Sequence, residues 1–591
     1  MKTRTEISLD DKWNVEALYP SIDSWEKDFN QSKWQNLGTF RGRLAENPAV
    51  MAEFLKDYFQ IEQGLSKLFT YAHLRHDEDV AEETPRQAFM RALKQLHLFR
   101  EEMAWVEPEI LQMPQEKISM FLAAKELAPY RVHLEKILRL KPHTLSPAEE
   151  ELVASAGMAL GASQRAFGAF NNADIKFPAA LDAQGNKHDV THGTYLSLIR
   201  NPDRTLRKNA FESLSRTFAS YENTLCELIH GQIQSHLFNA KAHKFSSCLE
   251  AALFPFNIDP AVYKNLIKTV RDNLTAVHRY MEVRKTAMGL SELHMYDLHV
   301  PIVQDVDFSV DYTEAEKYVI AGVAPLGKEY QQRLESGLKR DRWVDRFENA
   351  RKRSGAYSSG CYGSMPYILM NYHGKFHDMM TLSHEAGHSM HSLLSWSTQP
   401  YHYADYPIFV AEVASTFHEE MLLRHLMSEV KDPKMKAFLI NQQIEDMRNT
   451  FFRQTMFAEF ELKVHSLVEQ GVALTPGLLK QEYHKLNQDY FGPHVVIDSE
   501  IDIEWARIPH FYYNFYVYQY ATGIAAAHAL VDIVEKEGPK NYLAFLSSGG
   551  SAFPLDLLRK AGVDMTKSSA ITTLIGKFRE LAENLHRSLQ K

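Results

Sequence analysis

Apolar residues returning at every third and fourth position along most of this 591-residue chain limit its fold more than any other feature. Between residues 48 and 110 they read Phe54, Leu55, Tyr58, Phe59, Ile61, Leu65, Leu68 and Phe69. Charged and polar residues fill the gaps, as in helices that bury one face. The same rhythm runs through 205–240, 260–290, 313–340, 408–428, 435–470 and 516–536. A chain patterned this way is expected to be mainly α, and its length calls for several domains or one large enclosed architecture. It carries no repeat of solenoid period and no low-complexity tract.

Two stretches interrupt the helical pattern. FPAALDAQGNKHDVTHGTY, residues 177 to 195, holds Pro178, Gly185-Asn186 and Gly193 and reads as a β-hairpin or loop. Asn201-Pro202-Asp203 then opens a new helix, with Asp203 at its first turn. This places a domain boundary close to residue 200, with an N-terminal helical domain over 1–200 and a second domain over 201–591. The other break runs from Gly355 to Phe376. Its centre, PYILMNYHGKF, predicts a short strand over 366–372 ended by His373-Gly374. As an edge strand it would offer its backbone to an extended peptide, with Gly360, Gly363 and Ser364 keeping that edge open.

Composition removes several function classes. Lysine and arginine total 66 against 75 aspartate and glutamate, a net charge of −9, so no positive field is available for phosphates and no nucleic-acid partner is expected. Arg351-Lys352-Arg353 reads as a solvated turn. Cys226, Cys248 and Cys361 are too few and too scattered for a disulfide framework or a thiolate zinc site, which suits a reducing, cytoplasmic compartment. MKTRTEISLDDKWNVEALYP at the start has no apolar core of signal-peptide length. No window approaches the ~20 apolar residues needed to cross a bilayer, so no membrane association is expected.

One short motif carries chemistry. Residues 381 to 392 read TLSHEAGHSMHS, which contains H-E-A-G-H. In a chain with 27 histidines so short a pattern also arises by chance, and it needs supporting context. A helix supplies part of it. Met379, Leu382, Ala386, Met390 and Leu393 share one face, while His384, His388 and His391 lie on the other. Histidines at i and i+4 can reach one ion, and Glu385, rotated by about 100°, is free to act as general base. Asp378 sits near the helix start, where negative charge is favoured. Gly387 weakens a helix by roughly 1 kcal/mol relative to alanine, so it requires a reason, and close approach of another backbone would be one. His391 is about 10.5 Å of helix rise from His384 at ~1.5 Å per residue, too far to share the ion. It supports a ligand from behind, faces substrate, or is a half-buried structural histidine.

A third ligand has to come from elsewhere. In PIFVAEVASTFHEE, residues 407 to 420, Val410, Val413, Ala414 and Phe417 make one apolar face, and Glu412 lies in that otherwise apolar run. A buried free carboxylate is costly, and a cation beside it would remove the cost. Glu419 falls seven residues on, on about the same face, placed to accept a hydrogen bond from a ligand histidine.

Taken together, H-E-x-G-H-x-x-H followed by F-V-A-E-V-A-S-T, with GAYSSGCYGSMPYILMNYHG before and IPHFYYNFYVYQYATG after, resembles the thimet-oligopeptidase-like (M3) zinc metallopeptidases, and within them the oligoendopeptidase F branch. The resemblance covers roughly residues 200 to 585 and, more loosely, the N-terminal region. It implies one Zn2+ per chain held by His384, His388 and Glu412, with Glu385 as general base. The implied fold is a large helical clam-like ellipsoid with a deep substrate channel, zinc on the channel wall and a small β-sheet beside the zinc helix. Such a channel admits only short, unstructured oligopeptides. His510, Tyr513 and Tyr520 match the family's histidine and its tyrosine pair, which would stabilise a tetrahedral oxyanion. The spacing after the histidine is shorter here than in the animal members, which leaves Tyr516 and Tyr518 as alternatives.

The expected activity is zinc-dependent endopeptidase cleavage of oligopeptides, with Glu385 assisting attack of a zinc-bound water. Two rivals stand beside it. A zinc carboxypeptidase on a related helical fold would need a fixed cation for the terminal carboxylate, and Arg507 is a candidate. A non-catalytic helical peptide-binding protein would bind no stoichiometric metal.

Overall fold

The computed structural model describes residues 2–31, 34–303, 306 and 308–590. Helices dominate, as the periodicity predicts, and the strands form only two- and three-stranded sheets among the described residues. Among the described residues, no helix is long and apolar enough to cross a membrane. Contacts divide the chain into two compact units. One comprises Met1–Thr144, Asp307–Glu429 and Ala527–Val563, and the other Leu145–Val306, Val430–Ala526 and Asp564–Lys591. Each unit therefore gathers three separate stretches.

In the first unit, Pro48–Glu78 is a 31-residue helix whose start is fixed by Asn47. The Asn47 side chain accepts the Ala49 and Val50 N–H groups at 3.0 and 3.1 Å, satisfying donors that the helix itself leaves unpaired. Phe54, Leu55, Leu65, Leu68 and Tyr71 from this helix are buried with Trp13 and Trp25 in one core cluster. The small sheet pairs Val344–Asp345 in parallel with Tyr367–Leu369, and Tyr367–Leu369 antiparallel with Tyr357–Ser359. Tyr367–Leu369 is thus the central strand and fully buried. The sequence-based assignment of an open edge to 366–372 is corrected here: the edge strand next to the histidine helix is Tyr357–Ser359. Gly360 also has a different task from keeping an edge open, because a Cβ there would lie 2.5 Å from the Trp396 ring.

The helix Phe376–Thr398 follows the sheet. Asp378 accepts the His373 and Lys375 N–H groups at 2.9 and 3.0 Å and so caps its start. Met379, Leu382, Ala386 and Met390 are buried on one face, as the wheel predicts. The helix packs closely on Ile408–Glu429, and Gly387 makes that approach possible: a Cβ there would sit 2.6 Å from the Ala414 carbonyl oxygen and 2.7 Å from Ser415 Cα. On the same seam Ser383 Oγ donates to the His418 carbonyl at 3.1 Å. A second glycine, Gly322, ends the Tyr312–Gly322 helix where its own Cβ would meet Leu422 Cα at 3.0 Å. Ile408–Glu429 is therefore gripped at backbone distance by two neighbours, which fixes its rotation.

In the second unit the hairpin read at 177–195 is present as Ala180–Leu181 paired antiparallel with Lys187–His188. Asp203 caps Arg204–Ala219 by accepting the Thr205 and Leu206 N–H groups. The periodic stretch 435–470 is not one uniform helix. Pro433–Asp446 and Arg453–Glu469 are joined by a wider, π-helical turn at Met447–Phe452. Pro260–Arg271 and Glu222–Ala242 pack beside Arg453–Glu469, and the chain then reaches the irregular aromatic stretch Pro509–Val517 and the start of the helix Tyr518–Glu537, whose part from Ala527 onward belongs to the first unit.

Candidate metal centre

His384 and His388 project from one face of Phe376–Thr398, and Glu412 faces them from the first turn and a half of Ile408–Glu429. His384 Nε2 lies 3.5 Å and His388 Nε2 3.8 Å from the same oxygen, Glu412 Oε2. The three ligand atoms lie within 4.8 Å of one another. Ligands ~2.0–2.1 Å from a tetrahedral zinc are about 3.4 Å apart, and two imidazoles with one carboxylate are a zinc donor set. The residues present fit that ion. All three side chains are partly exposed, Glu412 and His384 each to 27%, so the cluster can be reached from outside the fold. The two imidazole planes stand at 82° with ring centres 4.9 Å apart, so their Nε2 atoms converge without the rings stacking.

The surrounding groups orient these ligands. His384 Nδ1 lies 3.3 Å from Glu419 Oε1. Ser415 Oγ donates to Glu412 Oε2 at 3.2 Å. Burial alone would lower the His384 pKa, but Glu419, then Glu385 and Glu412, raise it to about 9. His388 is held well below its usual range by burial and by the charge of His384. The carboxylates around His384 thus favour positive charge at this point, and a dication bound there would answer the same need.

Glu385 is buried, unlike the ligands. Burial and the Glu412 charge push its pKa to about 7, against the opposing effects of His384 and a hydrogen bond from the Ser358 backbone N–H. A dication at the adjacent site would draw it down. Ser358 belongs to the edge strand, and its Oγ pairs with Ser389 Oγ of the histidine helix at 2.8 Å. Strand, helix and base are thereby locked together. Sequence reasoning did not assign a role to Ser358; the available signal was a short β-rich segment just before a helix with HExxH.

His391 resolves to the structural alternative. It is buried, stacks on Tyr406 with ring centres 3.6 Å apart, and its Nδ1 has no hydrogen-bond partner among the described residues. Tyr406 OH in turn pairs with Ser392 Oγ at 2.8 Å and donates to the His388 carbonyl at 3.4 Å.

The C-terminal candidates form a cluster of their own in the second unit. Tyr520 OH and His510 Nε2 are 3.3 Å apart. The His510 ring lies 5.8 Å from those of Tyr513 and Tyr520 and stacks at 5.9 Å and 18° on Tyr516. Tyr513 is 48% exposed. Tyr518, the other alternative, is buried against Tyr263 at 5.0 Å. Arg507, the candidate carboxylate anchor, is ion-paired with Glu504, which also holds Arg453.

Known proteins match this chain along its length. Residues 197–576 match Peptidase family M3, and residues 109–177 match Oligopeptidase F. The chain is 42% identical to Oligopeptidase PepF of Bacillus subtilis, over 100% of this chain and 88% of that one. It is 36% identical to Group B oligopeptidase PepB of Streptococcus agalactiae, over 100% and 98% of the two. The crystal structure of oligoendopeptidase-F from Enterococcus faecium superposes with a TM-score of 0.73 at 32% identity, covering 96% of this chain and 97% of that one. The match to Peptidase family M3 over residues 197–576, together with these relatives, assigns the chain to peptidase family M3, in its oligoendopeptidase F branch.

Proposed function

We propose that this peptidase is a zinc-dependent endopeptidase acting on short, unstructured oligopeptides. The observation that carries the proposal is the convergence of His384, His388 and Glu412 within 4.8 Å beside a buried Glu385 held by the edge strand. When bound, zinc supplies Lewis acidity at the scissile carbonyl and lowers the pKa of water. Glu385 is placed to take the proton of the attacking water and to pass it to the leaving amine. The Ser358 N–H keeps the carboxylate aimed while it does so. The partly buried edge at Tyr357–Ser359 suits an extended peptide, whose backbone would pair with it at groups other than the Ser358 N–H and without regard to side-chain identity.

His510 and the tyrosines around it enter as oxyanion donors, a role supported by the family resemblance and by their N–H and O–H groups. An exopeptidase reading has less support, because the guanidinium of Arg507 is already committed to Glu504.

The test is metal content of the purified protein, together with cleavage of a fluorogenic peptide blocked at both ends, with and without chelator. One zinc per chain and chelator-sensitive internal cleavage are expected. Zinc with cleavage only of peptides bearing a free terminus would overturn the endopeptidase assignment, and absence of stoichiometric metal would overturn the zinc assignment.

A further inference from the structure

The segment between His510 and Tyr520 contains two consecutive residues, Asn514 and Phe515, with φ of +47° and +58°. Neither is glycine, and a non-glycine residue in this conformation is strained and persists only where its surroundings impose it. Asparagine often tolerates this conformation through a local hydrogen bond of its own side chain. Asn514 does not: its Oδ1 is buried without a partner among the described residues. The conformation is therefore imposed from outside the loop.

The source is a set of buried polar side chains on two helices. Glu461, on Arg453–Glu469, is fully buried, and its Oε1 accepts the Phe515 N–H at 2.6 Å. Its Oε2 has no partner among the described residues. From the other end of the loop the Tyr512 carbonyl accepts from Gln232 Nε2 at 3.4 Å. Gln232 Nε2 also meets His236 Nε2 at 2.9 Å. His236 Nδ1 and His465 Nε2 are 3.1 Å apart, and His465 Nδ1 lies 2.8 Å from the Glu461 carbonyl oxygen. With each imidazole neutral and protonated at Nδ1, every donor in this line has its acceptor. Burial keeps both histidines neutral. Rings complete the clamp. Phe515 rests on His465 and Tyr263 at 4.5 and 5.5 Å, and Tyr512 stacks on Phe167 at 4.4 Å. Between the two clamped points lies Tyr513, half exposed, and just after them Tyr516, stacked on His510.

A fully buried carboxyl with a single hydrogen bond is a poor device for stability, since an apolar residue of the same shape avoids its desolvation. Its use here is to hold one backbone N–H. We propose that Glu461 is a positioning residue: by accepting the Phe515 N–H it fixes the left-handed pair Asn514–Phe515 and so sets the directions of Tyr513 and Tyr516 about His510. The inference rests on the reading of that cluster as oxyanion donors.

The experiment compares Glu461→Met, which fills the space without the acceptor, with Glu461→Gln, which keeps a carbonyl acceptor, and with His510→Ala and Tyr520→Phe. Each is assayed for kcat and KM on the doubly blocked peptide, for zinc content and for folded fraction by thermal melting. Misplacing a catalytic group by about 1 Å can cost ~100-fold. The expected result for Glu461→Met is a kcat lower by roughly 10- to 100-fold per folded, zinc-loaded molecule with KM little changed, and near-parent kcat for Glu461→Gln. If Glu461→Met does not fold, Glu461→Asp, one methylene short of Phe515, takes its place with the same expectation. Impaired His510→Ala and Tyr520→Phe beside a Glu461→Met of parental kcat per folded molecule would overturn the inference alone. Parental activity in His510→Ala and Tyr520→Phe would overturn the reading of the cluster itself, and the inference with it.

Discussion

His384 sits between two glutamates of the same helix, with its Nε2 3.5 Å from Glu412 and its Nδ1 3.3 Å from Glu419. The first faces the proposed ion and the second fixes the ring from behind. An Nδ1–H donated to a carboxylate makes Nε2 the ligand atom and raises its basicity. Glu419→Ala should weaken zinc binding by about 10- to 100-fold while leaving the three ligands in place. Competition against a chromophoric chelator measures it, and unchanged affinity would show that Glu419 does not support the ring.

Glu385 differs from the ligands in burial and in its backbone partner. Glu385→Gln keeps the shape and the Ser358 contact but removes the base. Zinc stoichiometry should match the parent, and kcat should fall by ~10²–10⁴-fold, the range of general acid–base contributions. Parental turnover in this variant would assign the proton transfer elsewhere.

Much of this centre was legible in the sequence because its parts lie close together along the chain. The wheel of Phe376–Thr398 separates buried Met379, Leu382, Ala386 and Met390 from the histidines, and Gly387 signals a close backbone approach before its partner is known. What periodicity does not carry is order within a sheet. PYILMNY reads as a strand, but the edge belongs to Tyr357–Ser359, whose serines give no apolar alternation. His391 shares a helical face with the ligands in projection, yet stacking on Tyr406 takes it into the core. Glu461 was invisible for a related reason: it looks like any glutamate on an amphipathic helix, and its partner is a backbone N–H 54 residues away.

Glu461 also gives a pH dependence of stability. Burial pushes its pKa to about 8, opposed only by the Phe515 N–H, against about 4.3 in an unfolded chain. Between those values the unfolded chain has released a proton that the folded chain keeps, so stability falls as pH rises through this window. The groups facing it are His465 on its own helix, His236 on Glu222–Ala242 and Tyr263 on Pro260–Arg271. The histidines stay neutral there in the folded state, with pKa values of about 4 and about 3, and Tyr263 is raised well above its usual value by burial. Their linkage is common to parent and variant and cancels in the difference. Relative to the parent, Glu461→Gln should therefore gain stability from pH 5 to pH 8, read as the difference in denaturant midpoints. An equal difference at both pH values would mean that the buried carboxyl does not retain its proton.

Gly387 offers the sharpest link between packing and the metal. A methyl group there would lie 2.6 Å from the Ala414 carbonyl oxygen and 2.7 Å from Ser415 Cα. Both are backbone atoms of a helix that Gly322 also holds from another side, so neither can yield by a side-chain rotation. The two helices must move apart, and they carry different ligands: His384 and His388 on one, Glu412 on the other. Gly387→Ala should cost ~1–3 kcal/mol of stability despite the better helix propensity of alanine, and zinc affinity should fall with it. Gly64→Ala is the control. Gly64 is exposed in the middle of Pro48–Glu78, with nothing within 4 Å of its added Cβ, and the same change there should stabilise by roughly 0.5–1 kcal/mol. Thermal melting of the two metal-free variants separates packing from metal binding, and zinc titration then reads the site. If Gly387→Ala melts at or above the parent and binds zinc as tightly, the two ligand helices are not held at backbone contact and the geometry of the centre has another origin.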